Sequence, residues 1–165
     1  MKNNIDRILE KIKNKNISLN EVVKMEDIEK FEKENNIKLP EELIFFYTKI
    51  CNGCVMLDGF NLLKMQEWKC DINNLKEDFE FEKYWIWEDD YNEEKIKHIT
   101  YGNIKLIDIG DAQSWNIIVN GKERGKMWLF TDVGIQPCAP SMDLLEWFEF
   151  WLDGKEDFFY EFSYE

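Results

Sequence analysis

Ile5, Ile8, Leu9 and Ile12 recur at the i, i+3, i+4, i+7 spacing that places apolar side chains on one face of a helix. A polar break, NKNIS, follows. A second helical pattern covers 25–35, with Ile28 and Phe31 inward, and stops at Asn35-Asn36, since Asn tolerates the left-handed conformation at a helix end. Leu39-Pro40 opens a third helix. Proline suits the first helical position, and Glu41 and Glu42 face the positive end of the helix dipole. Leu43, Phe46, Tyr47 and Ile50 form its inward stripe, and Asn52-Gly53 ends it.

Beyond residue 53 the period shortens to that of strands. Runs 55–57 and 60–63 flank Asp58-Gly59, a type I′ hairpin signal. Residues 64–100 are mixed and read as helix and loop. Three strand-like runs follow at 104–109, 115–119 and 127–131, separated by the turn-rich GDAQS and NGKERG, and a short run near Ile135 adds another. Ser141 is the expected cap of a last helix, with Leu144, Leu145, Phe148, Trp151 and Leu152 inward and Asp153-Gly154 as its stop. Helices, then an antiparallel twisted sheet, then a C-terminal helix describe an α+β domain. Trp128 and Trp151 are expected between the sheet and the helices.

A length of 165 residues favours one domain and suffices for a sizeable core. No run approaches 18 apolar residues, and MKNNIDRILEKIKNK lacks the apolar centre of a signal peptide, so a cytoplasmic protein without a membrane span is expected. Charge changes the picture more. The formal net charge is −13, which disfavours nucleic acid and anionic membrane and favours basic partners. The charge is localised. Residues 77–94, EDFEFEKYWIWEDDYNEE, hold nine acids and one lysine, and residues 153–165 hold five acids and one lysine.

Candidate chemistry is sparse. Cys51 and Cys54 form a Cys-x-x-Cys, but a redox dithiol places its thiolate at a helix N-terminus. Cys51 falls at the C-terminal end of the predicted 40–50 helix, where the dipole has the wrong sign. A zinc site needs a second Cys/His pair; Cys70 and Cys138 are single, and His98 is the one histidine. The pair therefore reads as two small buried thiols around a helix stop. No phosphate-binding glycine loop or serine elbow is present. No catalytic residue, metal or cofactor is expected.

Ile28, Phe31, Glu32, Asn36, Leu39, Pro40 and Asn52-Gly53, taken in order, resemble the N-terminal signature of the SUKH superfamily, the Smi/Knr-type domains. The later half is similar too. Gly121, Arg124, Gly125 and Trp128 resemble a bacterial subgroup's hairpin, and Trp147, Trp151 and Leu152 its closing helix. The resemblance covers about residues 25–153; the acidic-aromatic insert 64–100 and the two cysteines flanking Asn-Gly lie outside its pattern. It implies an immunity protein that neutralises a cognate toxin, a nucleic-acid-acting one, by direct binding, with no catalytic residues. The alternative it implies is a regulatory or scaffold module of the Smi/Knr type.

The expected partner is a basic toxin domain, met by the insert. Interface centres favour Trp and Tyr, and charged rims steer association. Trp85, Trp87 and Tyr91 beside Glu88, Asp89, Asp90, Glu93 and Glu94 have that composition.

Overall fold

The computed structural model describes residues 2–155, so most of the acidic stretch 153–165 lies outside the described residues. The predicted period-two runs form the centre of one antiparallel sheet: β4 (Asn103–Gly110), β5 (Gln113–Ile118), β6 (Met127–Phe130) and β7 (Gly134–Pro137). Two short strands, β1 (Cys54–Val55) and β2 (Asn61–Leu62), extend it on one side, and β3 (Trp85–Ile86) on the other. The spatial order is β1-β2-β4-β5-β6-β7-β3.

Two turns differ from the sequence reading. Between β1 and β2 the Gly59 amide bonds to the Met56 carbonyl, and of the loop residues Gly59 alone takes a positive φ, +89°. This is a three-residue loop with glycine in the left-handed position, not a type I′ turn. The type I′ geometry occurs instead between β4 and β5, where Asp111 and Ala112 have φ of 50° and 59° and Gly110 pairs with Gln113.

Four helices pack on one face of the sheet. They are α1 (Lys2–Asn14), α2 (Met25–Asn35), α3 (Glu41–Phe45) and α5 (Leu144–Leu152). α3 begins one residue after Pro40 and continues as a wider π turn over Phe46–Ile50, closed by the Cys51 amide on the Phe46 carbonyl at 3.1 Å. The widening frees the Tyr47 carbonyl to accept from the Val23 amide at 2.8 Å, which fastens the segment before α2. Leu43, Phe46, Tyr47 and Ile50 are all buried, as their spacing predicts. Asp143 rather than Ser141 caps α5, its carboxylate accepting from the Glu146 amide at 2.9 Å. The main core joins these helices to the sheet through Ile104, Leu106, Trp115, Ile117, Met127 and Leu129, with Trp151 among the buried residues.

Alternation along β5 and β6 sends their remaining residues to the other face. Ile118 and Trp128 lie there in a second core with Phe79, Phe81, Trp85 and Ile135. Trp128 is thus buried as expected, but on the face opposite the helices. Beside this cluster, a polar row replaces apolar packing. Ser114 donates to Asn116, and Asn116 donates to Asn103, whose own amide donates to the Ile99 and Tyr101 carbonyls. All three side chains are buried, so each needs a partner of this kind.

A candidate protein-docking face

The acidic-aromatic segment supplies the cover of the second core. Its FEFE run alternates strictly. Phe79 and Phe81 are buried, Glu80 and Glu82 exposed. Phe79 meets the Trp128 ring edge-on at 4.9 Å, and Phe81 stacks on Trp85 at 5.7 Å with the rings 11° from parallel. Full burial of such side chains contributes roughly 2–3 kcal/mol each. Two glycines let the chain come this close. A Cβ at Gly102 would lie 2.5 Å from the Glu77 carbonyl oxygen, and one at Gly121 would lie 2.4 Å from that of Phe79.

From Trp85 onward the segment joins the sheet. Trp85 pairs with Ile135 and Ile86 with Gly134. Trp85, expected at the docking surface, is 6% exposed and belongs to the core. Trp87 is half-buried and tied down: its backbone amide donates to the Val133 carbonyl and its indole N–H to the Asp132 carbonyl, both at 3.0 Å. These tryptophans therefore anchor the segment. The outward aromatics are Tyr91, at 69% exposure, and Tyr84, at 44%.

Glu88, Asp89, Asp90, Glu93 and Glu94 are exposed, as a docking rim requires. Glu93 and Glu94 occupy the first turn of α4 (Glu93–Lys97), capped by the Asn92 side chain, which accepts from the Lys95 amide. Lys97 pairs with Glu94 at 3.2 Å, Lys122 with Glu82 at 3.2 Å, and His98 with Glu80 at 2.8 Å. Among the described residues, Glu88, Asp89, Asp90 and Glu93 have no cationic partner. Lys95 points inward, its ammonium 4.8 Å from the Trp85 ring centre, so it neutralises little of the rim. An open groove of about 660 Å³ is lined by Glu82, Lys83, Tyr84, Ile86, the pair Asp89 and Asp90, and Pro137.

The Cys-x-x-Cys is built differently. Cys51 and Cys54 are free and buried. The turn between them is held from outside. The Asn20 side chain donates to the Asn52 and Gly53 carbonyls, and the Asn52 side chain accepts from the Met65 amide at 2.7 Å. A hydrogen bond to Cys54, together with burial, pushes the Cys51 thiol far above the ordinary range, so it stays protonated at neutral pH. Cys138 is pushed up to about 12, chiefly by burial. Among the described residues, no three His, Cys, Asp or Glu side chains are grouped to hold a metal ion. No helix of the described residues is long and apolar enough to cross a membrane.

Three of the residues that carry the family resemblance, Glu32, Leu39 and Arg124, meet in one place. The buried Glu32 carboxylate accepts from the Leu39 amide at 2.7 Å, bridging α2 to the start of α3. The Arg124 guanidinium donates to the Lys38 and Leu39 carbonyls at 2.9 Å, tying that same bend to the β5–β6 hairpin. These signature residues therefore act as scaffold. Comparison with curated proteins and with solved structures finds no match. The model of the SMI1 / KNR4 family (SUKH-1) matches residues 23–153, and the chain belongs to that family.

Proposed function

We propose that this chain is an immunity protein that neutralises a cognate toxin domain by binding it directly through the acidic face at 88–94. SUKH domains are protein-interaction modules, and the observation that carries the reading here is one of mounting. Alternate aromatics fix the segment to the sheet, while four acids without cationic partners and the ring of Tyr91 face outward. Acids alone would make a solvated surface; on a fixed support beside an exposed aromatic, they make a charged rim around a desolvable centre. The charge suits a basic toxin that acts on nucleic acid. A second reading, a regulatory or scaffold module, is favoured by the Smi/Knr description of the matching family.

The test is kinetic binding to the domain encoded by the neighbouring gene, at two salt concentrations. Charge reversal at Asp89, Asp90 and Glu93 should slow association and flatten its salt dependence, because rim charges act on encounter and are screened within about 8 Å at physiological ionic strength. Tyr91→Ala should instead speed dissociation, with about 2 kcal/mol lost. Unchanged rates in both variants, with neutralisation intact, would move the interface to another face.

A further inference from the structure

We propose that the open edge of β3 receives an extended basic segment of the partner as an added strand, with a cationic side chain seated against the Asp89–Asp90 pair. The proposal rests on the docking-face reading above and specifies how that face is used.

Among the described residues β3 is the last strand of the sheet and pairs only with β7. The Trp87 amide donates to Val133, across the ladder. Antiparallel strands alternate hydrogen-bonded and non-hydrogen-bonded pairs. Trp85 and Trp87 therefore turn their backbone groups toward β7, and Ile86 turns its N–H and C=O outward. The close approach at Gly134 agrees: a Cβ there would lie 3.2 Å from the Ile86 Cα, the short spacing of a non-hydrogen-bonded pair.

Natural sheet edges are blunted with lysine, proline or a bulge. Here the strand is short, two residues, and Lys83 lines the groove beside it, but its outward residue is an isoleucine, 39% exposed. Charge selects the occupant. A second copy of this chain would bring its own 77–94 segment, nine acids over one lysine, against the same acids and be repelled. An alternating basic strand is attracted, and its period of two presents every second side chain to the groove.

The probe is a blocked nonapeptide alternating Arg and Val, titrated into the full chain at low salt and followed by amide resonances. Its companions are the same peptide N-methylated at every Arg, the same peptide N-methylated at every Val, and a Glu-Val counterpart. The expected result is shifts at Ile86, Asp89 and Asp90, with one N-methylated series weakened at least tenfold and no binding by the Glu-Val peptide. Ile86→Pro should weaken the unmodified peptide similarly; the N-methylated peptides make the same cut without touching the protein. Equal binding of all three Arg-Val peptides, shifts on another face, or no binding at all would overturn the strand addition. If these fail while charge reversal still slows the toxin, only the strand addition falls. If the peptides behave as expected while charge reversal is silent, the docking-face reading falls.

Discussion

At Gly121 one hydrogen atom in place of a methyl group decides whether the second core can close. The residue has φ of +113°, and the Phe79 backbone fills the space a side chain would need. Gly59 is the internal comparison, with φ of +89° and nothing within 4 Å of its missing Cβ. Gly59→Ala should therefore cost only the backbone strain, about 1 kcal/mol. Gly121→Ala adds displacement of Phe79, and with it loosening of the Phe79–Trp128 contact, so a loss of about 3 kcal/mol is expected. Denaturant melts of both variants check this. Equal losses would mean that the insert adjusts freely and does not depend on close approach.

Among the elements, α1 stands apart: it precedes the region matched by the family, and it is held to α5 by charge as well as by Ile5, Ile8 and Ile12. Arg7 makes two parallel bonds to Glu149 at 2.6 and 2.7 Å, and Lys11 adds a third at 3.1 Å. The Arg7 hydrogen bond is the main reason the Glu149 carboxyl is held down at about 2, against an ordinary value of 4.5. A carboxyl lowered in the fold stabilises above its unfolded value, and that contribution disappears as pH falls through the folded one. Wild type should therefore exceed Glu149→Gln in denaturation midpoint at pH 7, and the two should converge between pH 4.5 and 2. A constant offset across that range would show that packing, not charge, docks α1. The apolar stripe of this helix was legible from spacing alone, as were α2, the α3 stripe and the three central strands. The π turn was not legible, because its cause is a distant acceptor requirement at Val23. The Asp58-Gly59 signal misled because the strand pairing allows three loop residues, whereas Asp111-Ala112 forms the type I′ turn without a glycine in either central position. β3 was missed because two residues, Trp85 and Ile86, are too few to show a period. The FEFE run before it does alternate with period two, but its acids drew the segment into a surface reading. Of the candidate site, the exposed acids and Tyr91 were read correctly as surface, while Trp85 and Trp87 went inward because an aromatic face of the sheet needed covering.

For the molecule as a whole, the proposed function sets the same acids to act in opposite directions on stability and on association. A net charge of −13 repels itself in the compact state, and the repulsion is densest along 77–94. Asp89, Asp90 and Glu93 make no ion pair among the described residues that would offset it. Neutralising them as Asn, Asn and Gln should raise the melting temperature at low ionic strength. Added salt should raise that of the unaltered chain toward the same value, since screening relieves the same repulsion. Association with a basic partner should respond in reverse. Both neutralisation and salt weaken the field that draws the partner in, so the on-rate falls where stability rises. Thermal melts and association kinetics of the two proteins, each at about 20 and 500 mM salt, give four pairs of values. The expected pattern is an anticorrelation that collapses at high salt. If neutralisation lowers the melting temperature at low salt, the acids are holding the segment in place rather than straining it. Their outward position would then be part of the fold, with no stability given up for binding.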